Sequence, residues 1–259
     1  MRPAVRLYTW PAFGLPGRKR CFSATPFGIK VQRVLHYKKV PFSVEEVGWL
    51  EAATRLPALS TSGKLPVLEY DGERIEDSTR IAYLLEERHP EPRLVPREPT
   101  ERARMHFMEE WADEVLYRYR QYGEIHFSDS ALTAQAYYAD IPEETRTRMV
   151  EKRRAGMEAA LHQQGFGRYP ESKFWAEFRR SLDGLAALIE GDGFLAGFEV
   201  SLADIAVFAQ IHRAVAGADP WYEAEVRERA VLDRWMERID AITSATPTPA
   251  ARRGAGGGP

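Results

Sequence analysis

The sequence predicts an α/β half in the order β-α-β-α-β-β-α, followed by a half made only of helices. Three observations carry this. Short runs rich in β-formers alternate with helical apolar stripes up to about residue 88. A Pro-rich stretch, "HPEPRLVPREP" at residues 89–99, then separates two styles of sequence. Beyond it every apolar pattern has the helical period. With 259 residues the chain is long enough to fill two cores. The expected division is residues 1–88, a linker at 89–99, a helical unit at 100–244, and a tail at 245–259.

"AVRLYTW" (4–10) reads as the first strand and "PAFGLPGRKRCFSA" (11–24), with its Pro and Gly, as a loop. A helix follows over 25–39, with Thr25 as N-cap, Pro26 in the first turn, and Ile29, Val31, Val34 and Leu35 forming its stripe. "FSVEEV" (42–47) alternates like a strand, and residues 49–58 fit a short helix. "LPVLEY" (65–70), the turn "DG" (71–72) and "ERIE" (73–76) make a hairpin. A helix over 78–88 ends this half, with Ile81, Leu84 and Leu85 on one face.

Helices are then expected over 100–122, 142–163, 171–190, 202–216 and 225–243. The stretch 202–216 is apolar nearly all round, which marks a buried central helix. Before it, "EVSLADIAVF" sets Ser201 at the N-cap and Asp204 three residues on, with Val200 and Ile205 placed for a hydrophobic staple. The tail "TPTPAARRGAGGGP" has nothing to bury and reads as disordered.

Formal net charge is −2, so no basic field recruits nucleic acid. No apolar run is long enough for a bilayer, and "MRPAVRLYTWPAFG" lacks the apolar segment of a signal peptide. The lone Cys21 excludes an internal disulfide framework, so the expected compartment is the reducing cytoplasm. The six histidines are scattered without metal-ligand spacing, and no metal is expected.

The stretch "GKLPVLEYDGERIEDSTRIAYLL" (63–85) sets a puzzle, because Pro66 lies inside an apolar run. A proline there needs an edge, a strand start or a cis bond, and "KLP" before "VLEYDG" fits a cis Leu65–Pro66 bond. Backbone groups of Val67 are then expected to pair with an extended, peptide-like ligand. Asp77–Ser78 opens a helix: free N–H groups and the Ser78 hydroxyl suit a carboxylate, and Asp77 suits an ammonium. A plain N-cap is the structural alternative for this pair.

The pattern "LPVL…DG…I.DS..I..YL" in such an α/β half, followed by helices with "SLADI" opening the core one, resembles the glutathione S-transferase superfamily. The resemblance covers roughly residues 4–88 and 100–243. It implies a thioredoxin-like first half, an all-helical second half, and glutathione as co-substrate held by Lys64, Pro66, Val67, Asp77 and Ser78. It also implies a homodimer. "MEAALHQQGFGRYPESKFWAEFRRSLDGLAALI" is in addition similar to metaxin and failed-axon-connections proteins, where the fold has other uses.

The family's chemistry needs a thiolate on glutathione, stabilised by a donor near the first helix's start. Thr25 and Ser23 are the candidates here, while Cys21 and Tyr8 stand behind them. Relatives often show Ser-Pro-Phe-Cys at this point, whereas this chain has Thr25-Pro26-Phe27-Gly28 and an unusually long preceding loop. Arg18, Lys19 and Arg20 in that loop are a candidate anion contact or, more simply, a solvated turn. Tyr8, Trp10, Phe13, Trp111 and Val115, with Tyr119 beside them, are the expected walls for a small apolar electrophile. The expected activity is conjugation or exchange of the glutathione thiol. A non-catalytic binding or assembly protein and a glutathione-dependent isomerase or reductase are the alternatives.

Overall fold

The computed structural model describes residues 4–15, 21–189, 193–197, 199–215 and 219–244. The tail at 245–259 and Arg18, Lys19 and Arg20 lie outside the described residues. The first half holds strands β1 (Val5–Thr9), β2 (Ser43–Glu46), β3 (Val67–Tyr70) and β4 (Glu73–Glu76) and helices α1 (Pro26–Tyr37), α2 (Ala52–Leu59) and α3 (Ser78–Arg88). The strand order is β2-β1-β3-β4; β1 and β2 run parallel, while β3 is antiparallel to both neighbours. The sheet alternates its faces as the pleat requires. Val5, Leu7 and Leu68 pack with α1 and α3, whereas Tyr8 and Val67 face Leu56 and Leu59 of α2.

The second half contains α4 (Pro99–Trp111), a π-turn (Ala112–Leu116), α5 (Tyr117–His126), α6 (Ser130–Tyr138), α7 (Glu143–Gln163), α8 (Glu171–Leu188), α9 (Leu202–Val215), α10 (Pro220–Arg227) and α11 (Ala230–Thr243). This is the thioredoxin-like unit followed by the helical unit that the sequence implied. Three details depart from expectation. The helix over 100–122 is interrupted by the π-turn, where Tyr117 N–H reaches back to Ala112. The helix over 225–243 is two helices, the first opened by Pro220 in its first turn. Helix α6 was not expected, because apolar residues such as Ala131 and Leu132 on its exposed side blur the stripe of its buried Thr133, Ala136 and Tyr137.

Helix α9 is the axis of the helical half, with every described side chain from Leu202 to Ala214 buried. Its start shows half of the cap the sequence called for: Asp204 reaches back to Ser201 N–H, while the Ser201 hydroxyl donates to that same carboxylate. The Asp204 carboxylate accepts from Ser201 N–H at 2.9 Å, the Ser201 hydroxyl at 2.7 Å, Leu195 N–H at 2.9 Å and Trp235 Nε1 at 3.3 Å. Asp204→Ala strands these buried donors, so we expect a loss of about 3 kcal/mol in urea unfolding.

A second buried polar group ties α5 to α7. Glu124 accepts from Arg153 Nε and Nη2, both at 3.0 Å, and pairs with Arg120. Burial alone pushes the Glu124 carboxyl up, but Arg153, Arg120 and Arg213 outweigh it and hold it at about 2. The folded value lies below the ordinary 4.5, so this stabilisation is complete above pH 4.5 and is lost as pH falls toward 2. We expect the urea midpoint to drop across that window. In Glu124→Gln, already weakened, the drop becomes shallower.

Candidate functional site

The start of α3 is fixed by Asp77, which adopts φ 74° and ψ 125°. An Asp tolerates positive φ better than most residues, and this conformation turns its carboxylate back onto the helix. Asp77 Oδ1 accepts from Thr79 N–H and Arg80 N–H, both at 3.0 Å. The cap therefore takes two of the N–H groups that the sequence reading offered to a ligand. Ser78, 5% exposed, lines the mouth of the helix beside Thr79 and Arg80.

A tight turn precedes β3. The Glu76 carboxylate accepts from Ser60 Oγ and Thr61 N–H at 2.7 Å each, Thr61 Oγ1 at 2.9 Å, and Ser62 N–H and Oγ at 3.1 and 2.7 Å. The Thr61 N–H and the serine hydroxyls hold this carboxyl far below its usual range. The turn delivers the chain to the Leu65–Pro66 bond, which is cis. Between this bend and the start of α3 lies a cleft of about 760 Å³. Lys64, Leu65 and Pro66 form one wall, Asp77, Ser78 and Arg80 the second, and Glu110, Asp113 and Glu114 the far side. Two other clefts, of about 920 and 770 Å³, do not include the bend.

The bend corrects one expectation. Val67 is fully buried and sits opposite Tyr8 on one side and Glu76 on the other. Both of its edges lie within the sheet, so its backbone does not face the cleft. Leu65, one residue before Pro66, lines the cleft and precedes the first paired residue of β3. The signal was present in the sequence: a proline at a strand start exposes the residue before it as readily as the one after.

At the start of α1, Thr25 is the N-cap, accepting from Gly28 N–H at 3.3 Å. An accepting hydroxyl still has its own proton to donate. Thr25 is half-buried and does not line the cleft; Phe27, two residues on, does. Ser23 is fully buried behind it, accepting from Thr9 Oγ1 at 2.8 Å and from Thr25 N–H at 3.2 Å. It supports the turn from the inside and does not face a ligand. Gly28 follows from this packing, since a Cβ there would lie 2.5 Å from both Ser23 Oγ and Thr9 Oγ1. The two buried hydroxyls fill the space that a side chain at position 28 needs.

The remaining expected walls do not line the cleft. Cys21 is buried, its thiol donating to the His212 carbonyl at 3.6 Å. Tyr8 lies on the α2 face of the sheet, its hydroxyl donating to Glu69 at 3.3 Å. Trp10 stacks on Trp49 at 4.5 Å, and Phe13 packs on Tyr137 at 4.6 Å. Trp111 and Val115 pack on the main core, and Tyr119 packs edge-on or tilted against Phe166, Phe174 and Phe178. These side chains pack into separate parts of the core, with Trp10 joining the clusters of Tyr8 and Phe13, and none of them lines the cleft.

The sequence reading missed Lys30. Its buried ammonium pairs with Glu109 and with Asp113 at 2.7 Å, and donates to Thr79 Oγ1 at 3.0 Å. Burial works against its charge, but the two carboxylates prevail and raise it. Burial and the neighbouring Glu109 push the Asp113 carboxyl up against the pull of Lys30. A lysine on the helical stripe face has no sequence signature until its partners, some 80 residues on, are known. Among the described residues His106, Glu109 and Glu110 bring ligand atoms within 4.8 Å of one another, but Glu109 is already committed to Lys30 and Thr79.

Residues 21–93 match the family model of the glutathione S-transferase N-terminal domain. This segment is similar to the glutathione S-transferase N-terminal domain, and the fold of the whole chain is shared with solved glutathione S-transferases. The chain is 36% identical over 69 residues to glutathione S-transferase DHAR2 of Arabidopsis thaliana, covering 27% of this chain and 32% of that protein. It is 34% identical over 76 residues to a probable maleylacetoacetate isomerase of Caenorhabditis elegans, covering 29% and 36%. The chain thus spans about a third of the length of these relatives. The β-etherase LigF of Sphingobium sp. strain SYK-6 shares the fold over 92% of this chain and 95% of its own, with a TM-score of 0.66 and 21% identity. Among the described residues no helix is long and apolar enough to cross a membrane.

Gly28→Ala tests the packing behind Thr25. Helix propensity alone favours alanine by about 1 kcal/mol. The contacts with Ser23 and Thr9 outweigh this, and we expect a net loss of roughly 1–3 kcal/mol in urea unfolding.

Proposed function

We propose that the chain binds glutathione in the cleft between Leu65–Pro66 and the start of α3, and activates its thiol for a small electrophile. The observation that carries this is the cleft itself. It joins the bend at Leu65–Pro66, which lies outside the paired residues of β3, to a capped helix N-terminus within the segment that matches the family model. Leu65 offers backbone groups to an extended peptide. Ser78 and the positive end of α3 suit the γ-glutamyl carboxylate, and Asp77, Glu110 and Asp113 suit its ammonium. Lys64 suits the far carboxylate. With the peptide so laid, the thiol points to the start of α1, where the Thr25 hydroxyl and the helix dipole favour its anion. The thiol proton leaves to solvent, the sulfur forms a bond to the electrophilic atom, and the leaving group departs with its electron pair.

Two observations support second readings. Likeness to a probable maleylacetoacetate isomerase favours a glutathione-dependent isomerase or reductase using the same site. The position of Thr25 outside the cleft lining favours a protein that binds without turnover. The homodimer implied by the resemblance finds apolar surface in Phe107, 72% exposed on α4, and Tyr83, 40% exposed on α3.

Calorimetry with glutathione tests the site. We expect a dissociation constant at or below about 1 mM, lost in the Asp77→Ala, Ser78→Ala double variant. Absence of binding by the wild type well above that concentration sinks the reading. With binding established, turnover of an aryl halide separates an enzyme from a binding protein.

A further inference from the structure

The segment before Thr25 is gripped from α9. Arg213 is 1% exposed and donates from Nε to the Ala24 carbonyl at 2.9 Å. Its guanidinium lies 3.4 Å from the centre of the Phe13 ring and donates to the Tyr137 hydroxyl. Its Nη1 is 3.8 Å from the Asp219 carboxylate. The preceding residue of α9, His212, receives the Cys21 thiol on its carbonyl. Ala24 N–H is bound as well, to the Pro11 carbonyl at 2.9 Å. Ala24, the residue that leads into Thr25, is therefore held on both its backbone polar groups.

An arginine is a costly way to bind one carbonyl, because a buried cation must be offset. Here Asp219 and Glu124 offset it, and the Phe13 and Tyr137 ring centres lie 3.4 and 4.9 Å from it. A neutral donor at this place would hold Ala24 with less desolvation. What the cation adds is a fixed planar fork that locks loop, α6 and α9 into one geometry, and a positive charge bonded to the peptide unit whose N–H belongs to Thr25.

We propose that Arg213 is a positioning residue for Thr25. It acts through the Ala24 carbonyl and sets the direction in which the Thr25 hydroxyl presents itself to the thiol. This rests on the reading of Thr25 as the group that faces the glutathione thiol.

The test is an ultraviolet titration of the thiolate in the glutathione complex of Arg213→Met, with Arg213→Lys and Thr25→Val alongside. In Arg213→Met we expect glutathione to bind as in the wild type and the thiol pKa to rise by about one unit, a roughly tenfold lower thiolate-to-thiol ratio at neutral pH. Arg213→Lys still donates to Ala24 and is expected to restore part of the shift. Should Arg213→Met fail to fold, Arg213→Lys decides, with a smaller rise in the same direction. A lower melting temperature with an unmoved thiol titration overturns the proposal and leaves Arg213 a purely structural tie. If Thr25→Val also leaves the titration unmoved, the reading of Thr25 fails first. If Thr25→Val shifts it and neither arginine variant does, the proposal alone fails.

Discussion

Lys30 carries one charge into a place closed to solvent, and three helices are arranged around it. It rises from α1, five residues after the helix begins at its cap. It meets Glu109 and Asp113 from α4 and the π-turn, and Thr79 from the start of α3. A buried ammonium is tolerated only where its partners are held at bonding distance. The two ends of the proposed thiol site, the start of α1 and the start of α3, are thereby referred to one fixed point. Apolar packing of α1 on α9 is non-directional, whereas the hydrogen bonds of the ion cluster fix directions as well as distances.

Much of the first half was legible because its signals are local. Asp71–Gly72 between alternating runs dictates the β3–β4 hairpin, and Asp77 before a helical stripe dictates where α3 begins. Ser201 and Asp204 declare the start of α9 in the same way. What was not legible is what depends on partners distant in sequence. Ser23 has the chemistry of a catalytic hydroxyl, and only the arrival of Thr9 and Gly28 shows that it is interior. Trp10 and Phe13 look like pocket walls until α6 supplies Tyr137 and Tyr138 to cover them. Helix α6 itself hides because exposed apolar residues such as Ala131 and Leu132 blur the stripe of its buried side chains.

The acidic far wall of the cleft follows from the helical period. The sequence reading assigns Trp111 and Val115 to the face that an apolar ligand would meet. Glu110, Asp113 and Glu114 lie three and four residues apart and border the cleft together, while Trp111 and Val115, four apart on the neighbouring face, join the core. The π-turn holds its one extra residue locally and leaves these faces as the helical period sets them.

That widened turn also makes the chain tolerant of a change in length. A π-turn holds one residue more than an α-helix needs to span the same rise and about the same rotation. A chain shortened by one residue between Ala112 and Leu116 closes into uninterrupted α-helix with the segments on either side in nearly their present phase. Tyr117 still meets Phe27, whose ring lies at 5.1 Å, and the Arg120–Glu124 pair still faces α7. The extra residue is slack in the helix, and what it sets is the direction of the side chains within the turn, Asp113 beside Lys30 among them.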